Sequence, residues 1–163
     1  MPSDHHEPFD IPLRPRRNRR SAAMRRLVRE TRLHPSDFVW PAFVVDGENV
    51  RQPVEAMPGC ERYSPDMLVE EARKAYDLGI PAVALFPAID DALKDRIATE
   101  SSRADGLLQR AVRRLKMALP DMLVITDVAM DPYSSDGHDG LVEDGRILND
   151  ETLPILGGMA VAQ

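Results

Sequence analysis

The stretch Pro81-Ala82-Val83-Ala84-Leu85-Phe86-Pro87 decides the fold of this chain. It is apolar on both of the faces that a strand would present. A strand with one face in water alternates polar and apolar residues, whereas a strand of a parallel sheet covered by helices is apolar throughout. The stretch therefore predicts a buried strand of a parallel sheet.

Two further apolar runs predict strands on either side of it in the sequence. Residues 38–45 are rich in β-branched and aromatic side chains and end at Asp46-Gly47, and residues 122–130 form the third run. Pro41 lies inside the first run and argues against a central strand there, since proline has no N–H for the ladder. A polar loop containing Pro53, Pro58 and Gly59 is expected to follow the first strand.

Helical patterns separate these strands. Ser64-Pro65-Asp66 provides an N-cap and a proline at the first helical position, and Leu68, Ala72, Ala75 and Tyr76 recur at helical spacing until Gly79. A second amphipathic helix is predicted over residues 106–115, closed by Pro120, and a third begins at residues 149–151. A short helix is predicted from Ser21 to about Glu30.

The order β-α-β-α-β-α indicates an α/β fold with a parallel sheet and right-handed crossovers. Neither a phosphate loop nor a GxGxxG motif follows any predicted strand, which disfavours the nucleotide-binding folds. A complete (β/α)8 barrel needs about 250 residues. The 163 residues therefore predict the N-terminal portion, about three βα units, of a TIM-type (β/α)8 barrel with an extended N-terminal arm.

Charge divides the chain into two predicted parts. Residues 1–32 contain nine arginines and four acidic residues, a charge of +5, and are expected to form an arginine-rich arm with a short helix. Residues 33–163 contain 12 basic and 23 acidic residues, a charge of −11, and are expected to form the truncated barrel. An arm of this kind is expected to dock on the acidic surface of a partner subunit.

Composition disfavours several other functions. The arm lacks interleaved aromatic residues for stacking on bases, and the acidic body would repel a phosphate backbone, so no nucleic-acid partner is expected. No apolar run is long enough to span a bilayer and no signal peptide is recognisable, so we expect a cytoplasmic protein without a membrane partner. Cys60 is the only cysteine, so neither an internal disulfide nor a zinc site built from several thiolates is expected.

The densest group of polar residues is Asp127-Val128-Ala129-Met130-Asp131-Pro132-Tyr133-Ser134-Ser135-Asp136-Gly137-His138-Asp139-Gly140. Along the predicted strand, Asp127 and Asp131 alternate with apolar Val128 and Met130, so both acids should point to one side, with Asp139 returning through a glycine-flanked loop. Converging carboxylates can hold a hard cation, orient an amine or shift one another's pKa for proton transfer.

Ordinary turns also account for this composition. Asp-Pro and Asp-Gly pairs form turns for local backbone reasons, so the acids could be turn residues alone. His138 fits a loop position as well as a ligand, and Tyr133 could pack or donate a proton. Spacing does not decide between these alternatives.

The segment from Asp127 to Gly140, with Asn149-Asp150-Glu151-Thr152 after it, resembles the metal-site segment of the porphobilinogen synthase (5-aminolevulinate dehydratase) family. The resemblance covers most of residues 14–163 and includes five further segments: Arg16-Arg17-Asn18-Arg19-Arg20, Phe43-Val44-Val45-Asp46-Gly47, Met57-Pro58-Gly59, residues 78–87 and Gln109-Arg110-Ala111-Val112-Arg113. It implies a (β/α) barrel, an arm that wraps a neighbouring subunit in an octamer-type homo-oligomer, and condensation of two 5-aminolevulinate molecules to porphobilinogen in tetrapyrrole (heme) biosynthesis.

The resemblance also implies roles for particular residues. Zinc-dependent members carry three cysteines at the positions of Ala129, Asp131 and Asp139, so this chain is similar to members that use Mg²⁺ or a monovalent cation, with no zinc at the active site. Asp127 matches an active-site aspartate, and Asp131 and Asp139 are the candidate cation ligands. Asp136 departs from the family pattern, which usually has histidine there.

The family's two Schiff-base lysines and its substrate-clamping arginines lie downstream of Gln163, and Lys74, Lys94 and Lys116 match none of those lysines. We therefore expect a porphobilinogen synthase segment that is inactive alone. The alternatives are a non-catalytic fragment that associates with full-length subunits and, less favoured, another Schiff-base barrel aldolase.

Overall fold

The computed structural model describes residues 16–163, and the chain divides into two compact units between Leu33 and His34. The prediction of an extended arm over residues 1–20 falls mainly outside the described residues. Within the described part, Arg17–Arg19 form a short 3-10 helix with no buried residues.

The first unit also contains the predicted helix. Helix α1 spans Ala22–Leu27, and the Ser21 hydroxyl accepts a hydrogen bond from the Met24 backbone N–H at 3.1 Å. This N-cap satisfies one of the amide groups that a helix leaves unpaired at its start. The helix ends three residues before the predicted limit at Glu30.

The second unit is built on a five-stranded sheet in the order β2-β3-β1-β4-β5. The strands are β1 (Val39–Val44), β2 (Arg51–Pro53), β3 (Glu61–Tyr63), β4 (Ala82–Pro87) and β5 (Leu123–Thr126). Strands β3, β1, β4 and β5 pair in parallel, which confirms the predicted parallel sheet, and β2 pairs antiparallel to β3. The prediction of a polar loop after β1 is wrong, since that segment contains β2 and β3.

Pro41 lies within β1 without breaking the sheet. Strand β4 pairs with β1 along its whole length, whereas β3 pairs with it only at Phe43 and Val44. At Pro41, β1 therefore has a paired neighbour on one side only, and this is the kind of position where a strand tolerates proline.

Helices α2 (Pro65–Asp77) and α3 (Leu107–Ala118) cover one face of the sheet, and α4 (Asn149–Ala162) follows β5 in sequence. Gly79, just after α2, has a φ of +92°, so it can end the helix in the left-handed region where other residues are strained. The core joins alternate residues of β1 and β4 to the apolar stripes of α2 and α3: Ala42, Val44, Val83, Leu85, Leu68, Ala72, Leu108, Ala111 and Leu115.

The opposite face of the sheet is apolar and partly exposed. Leu123 and Ile125 of β5 are 62% and 46% exposed, and Phe86 of β4 is also exposed. Phe43 and Phe86 lie side by side on neighbouring strands, with ring centroids 6.0 Å apart. The sheet therefore has apolar residues on both faces, as the composition of β4 predicts.

A second sheet of two strands was not predicted. Strands β6 (Leu141–Glu143) and β7 (Arg146–Leu148) form an antiparallel hairpin between the candidate site segment and α4. No helix within residues 16–163 combines the length and apolar character needed to cross a bilayer.

Candidate functional site

The candidate site lies where β4 and β5 end. These neighbouring strands are parallel, so the loops that follow them leave from the same edge of the sheet. Strand β5 stops at Thr126, so the predicted strand to Met130 is four residues too long. Leu85 of β4 lies opposite Thr126. If the strand continued in this register, Val128 would lie opposite Pro87, which has no N–H to donate to the ladder.

Because β5 ends at Thr126, the predicted alternation of acidic and apolar residues from Asp127 to Met130 does not lie on a strand. Val128 is 39% exposed, whereas Met130 is fully buried, so the two apolar residues do not share a face as predicted. Asp127 leaves the strand as an exposed residue, and Asp131 lies in the turn beyond Met130. Loop contacts, rather than strand periodicity, determine the position of Asp131.

Asp139 closes the loop back on its start, as the flanking glycines predict. Its Oδ1 atom accepts hydrogen bonds from the backbone N–H groups of Met130, at 2.8 Å, and Asp131, at 3.1 Å. A side chain at Gly140 would place its Cβ 2.6 Å from Ile147 Cγ2 and 3.1 Å from Thr152 Oγ1, so only glycine fits this close approach.

Asp131 is influenced by both of the other predicted acids. Burial raises the pKa of Asp131 above its usual range, and the charge of Asp139, its hydrogen bond to Asp131 and the charge of Asp127 raise it further. The structure therefore brings the Asp139 carboxylate onto the backbone of Asp131, and the charges of Asp139 and Asp127 both raise the pKa of Asp131. A carboxyl group in this position suits proton transfer.

A cavity of about 350 Å³ opens beside Asp131. It is lined by residues of both loops: Asp91, Lys94, Asp131, Ser134, Ser135, Asp136 and Gly137. The Lys94 ammonium lies 2.8 Å from Asp91 Oδ1. Lys94 and Asp91 were not predicted as site residues, although they follow β4, the neighbour of the strand that precedes the acids, and this position was the available signal.

The floor of the site is apolar. Met130 and Tyr133 pack with Ala98 and Met159 in a second buried cluster. Tyr133 is 2% exposed, and its hydroxyl has no hydrogen-bond partner among residues 16–163. Burial, followed by the charge of Glu100, raises the pKa of Tyr133. Of the two roles left open for Tyr133, the structure favours packing over proton donation.

The donor set at the site is compatible with a hard cation. Asp131 and Asp139 supply carboxylate oxygens, which are suitable ligands for Mg²⁺. Thiolates, by contrast, favour zinc. Within residues 16–163, no group of three or more His, Cys, Asp or Glu side chains is arranged to hold a metal ion, and His138 is exposed. Since Mg²⁺ retains several waters and needs only one or two carboxylates, the pair fits that ion.

Comparison with known proteins identifies the family. The family model described as delta-aminolevulinic acid dehydratase matches residues 12–163. The chain belongs to this family. Among its relatives, the delta-aminolevulinic acid dehydratase of Bradyrhizobium diazoefficiens is 47% identical over 155 residues, which are 95% of this chain and 44% of the relative. The chloroplastic enzyme of Physcomitrium patens is 51% identical over 96% of this chain and 36% of its own length.

A solved relative extends the comparison to three dimensions. The crystal structure of delta-aminolevulinic acid dehydratase (porphobilinogen synthase) from Toxoplasma gondii, in complex with its product porphobilinogen, matches with a TM-score of 0.87 and 47% identity. The match covers 94% of this chain and 44% of that one. The sheet and its βα units thus match the N-terminal part of the dehydratase TIM barrel, which confirms the predicted fold class. The chain spans less than half the length of these relatives.

Proposed function

We propose that this chain is the N-terminal part of a porphobilinogen synthase, a lyase that condenses two 5-aminolevulinate molecules with loss of two waters. The observation that carries the proposal is the loop after β5, in which Asp139 accepts hydrogen bonds from the Met130 and Asp131 backbone amides at the sheet edge where the parallel strands end. In (β/α)8 barrels this edge is the catalytic face. The solved relative that holds porphobilinogen supports the same substrate class.

The three acids have different roles in this proposal. Asp139 is fixed by two backbone N–H groups and holds its negative charge beside Asp131. Asp131 exchanges a proton with the substrate amine, because its raised pKa brings its protonated and ionised forms closer in free energy at neutral pH. Asp127 adds a third negative charge that attracts and orients the ammonium group of the second substrate.

A bound cation is part of the proposed site. With a cation bound, Asp131 and Asp139 would both be ionised and would hold Mg²⁺ or a monovalent cation, which would supply positive charge for the substrate's oxygen atoms; Asp131 would exchange its proton only when it is not a ligand. Carboxylates and alanine replace the three thiolates that would select zinc, so we propose that the active site does not use zinc.

The lysines of residues 34–163 do not supply the expected Schiff-base amines. Lys74 and Lys116 lie on helices α2 and α3, and Lys116 donates to the carbonyls of Pro120 and Met122 at 2.6 and 3.0 Å. Lys94 lies in the cavity but pairs with Asp91. We therefore propose that residues 1–163 alone do not form porphobilinogen, since losing the amine nucleophile removes the covalent route.

A second candidate function is a non-catalytic fragment that associates with full-length subunits. The exposed apolar residues of β5, which among residues 16–163 pairs only with β4, favour this possibility, because unpaired apolar edges promote association. It predicts that the purified chain binds a full-length relative and changes its mass on light scattering.

A chimaera tests the principal proposal. Residues 1–163 replace the matching segment of the Bradyrhizobium relative, whose remaining sequence completes the barrel. We expect porphobilinogen formation by the chimaera and none by residues 1–163. Asp139→Ala should lower the kcat of the chimaera at least about tenfold, the scale of a lost acid-base group. Asp121→Ala, in the exposed turn before β5, is the matched control.

Three outcomes contradict parts of the proposal. Turnover by residues 1–163 would overturn their inactivity alone, and a folded but inactive chimaera would overturn the assignment as a synthase segment. A zinc-selective chelator that abolished the activity of the chimaera would overturn the proposed cation class.

A further inference from the structure

The segment that follows β4 packs alongside the loop that carries the candidate acids. Asp95 and Ser134 form an isolated parallel bridge. The Asp95 N–H donates to the Tyr133 carbonyl at 3.3 Å, and the Ser135 N–H donates to the Asp95 carbonyl at 3.1 Å. These bonds connect parts of the chain about 40 residues apart, so the position of the acid-bearing loop depends on the Asp95 segment.

The Asp95 segment is itself fixed in place. The Asp95 Oδ1 atom accepts hydrogen bonds from the N–H groups of Ile97, at 3.1 Å, and Thr99, at 3.0 Å. These bonds close a turn in which Ala98 has a φ of +53° and is buried against Met130 and Tyr133. These bonds fix the backbone on both sides of Arg96, which lies between Asp95 and Ile97.

The guanidinium of Arg96 contacts two residues, one before and one after Asp139 in the sequence. Its Nε atom lies 3.5 Å from Asp136 Oδ2, within the loop, and its Nη2 atom donates to the Val142 carbonyl in β6. Asp139 lies between these two attachment points in the chain. Because a guanidinium has several donors in a rigid plane, one side chain can fix both points at once.

We infer that Arg96 is a positioning residue, which clamps the loop between Asp136 and Val142 and thereby keeps Asp139 against the Met130 and Asp131 amides. The Arg96 and Asp136 side chains are 58% and 30% exposed, and ion pairs exposed to this degree add little to global stability. Arg96 should accordingly affect the order of the loop more than the stability of the fold. Its effect on turnover rests on the proposed function, whereas its effect on the loop does not.

Hydrogen exchange of the purified chain tests the clamp. Arg96→Gln should speed exchange at the Met130 and Asp131 amides about tenfold, since their bonds to Asp139 would open locally, and should leave the unfolding midpoint nearly unchanged. Arg113→Gln is the matched control, because the Arg113 side chain donates to the Ala104 carbonyl at 2.7 Å, within a different loop.

Further variants separate the clamp from a general loss of folding. Asp136→Asn should speed the same two amides, and the charge swap of Arg96→Asp with Asp136→Arg should restore part of their protection. Arg96→Lys should lie between the wild type and Arg96→Gln. Unchanged exchange in both Arg96→Gln and Asp136→Asn would overturn the inference. If Arg96→Gln unfolds the chain, the exchange rates of the Met130 and Asp131 amides in Asp136→Asn decide whether the clamp exists.

Kinetics in the chimaera provide the catalytic test. Arg96→Gln should lower kcat about three- to tenfold with little change in KM, because a displaced catalytic group costs rate more than binding, and the charge swap should recover part of the loss. Equal kcat values for Arg96→Gln and the unmutated chimaera would limit Arg96 to loop order and overturn its role in turnover. An inactive parent chimaera would refute the proposed function, while the exchange experiment would still decide the clamp.

Discussion

The raised pKa of Asp131 makes the stability of the fold depend on pH. The pKa of Asp131 is raised in the folded chain, through burial and through the charges of Asp139 and Asp127, above the value of about 3.9 expected in the unfolded chain. Between these two pKa values the folded state binds more protons than the unfolded state. The stability that this proton contributes is therefore complete below the unfolded pKa and is lost as pH rises through the folded pKa.

Asp131→Asn should remove this dependence. We expect the variant to be more stable than the wild type at pH 7, by less than about 1 kcal/mol because Asp131 is exposed and solvent screens its charge, and the gain should shrink toward pH 4. Urea unfolding at several pH values measures the difference, with Asp121→Asn as the control. A gain that did not vary with pH would contradict the assigned cause.

At the same scale, part of the site was predictable from the sequence. The return of Asp139 followed from its flanking glycines, because such a loop can turn sharply. Alternation along a strand wrongly predicted the position of Asp131, since β5 ends at Thr126, opposite Leu85 of β4, before reaching it. Arg96 was missed because its contacts with Asp136 and Val142 join residues 40 or more positions apart, which no local spacing encodes.

Among the elements, strands β4 and β5 differ in the exposed fraction of their leucine side chains. Leu85 of β4 is 1% exposed and belongs to the core cluster that contains residues of both helices, whereas Leu123 of β5 is 62% exposed. Leu85→Ala should therefore cost about 2–5 kcal/mol of unfolding free energy, and Leu123→Ala, its matched control, less than about 1 kcal/mol. Urea denaturation of residues 1–163 gives both values, and equal costs would contradict the described packing.

The accuracy of element prediction followed the strength of the local pattern. Strand β4 and helices α2 and α3 were predicted because long apolar runs and regular spacing identify them. Strands β2 and β3 have three residues each and carry polar side chains, so they have no such pattern. The β6–β7 hairpin did have a signal that was missed: Asp144 and Gly145 have φ values of +49° and +74°, and Asp-Gly is the pair favoured in such turns.

For the whole molecule, charge separation suggests a means of assembly. Residues 1–32 carry +5 and residues 33–163 carry −11, and Arg16, Arg17, Arg19 and Arg20 are exposed. Deleting residues 1–20 from the chimaera should lower its mass on light scattering while its circular dichroism stays unchanged, because the arm would no longer reach the acidic surface of a neighbouring subunit. An unchanged mass would exclude this role for the arm.

Salt provides the control for that experiment. If charge attraction holds the arm, about 0.5 M NaCl should shift the intact chimaera toward the smaller assembly and should affect the deletion variant less.

At this scale the number of βα units was predictable from the sequence, and the resemblance supplied the barrel. The contacts that close a barrel join distant residues, so they cannot be derived from local patterns.

The order of the strands also affects how this chain emerges during protein synthesis. Strand β4 pairs with β1, and β5 pairs with β4, so each later strand adds to one that the ribosome has already released. Translation proceeds at about 5–20 residues per second, which gives each pairing seconds to form before the next strand appears. The nascent sheet can thus grow outward from β1 by successive addition, and the exposed apolar residues of β5 then form its leading edge.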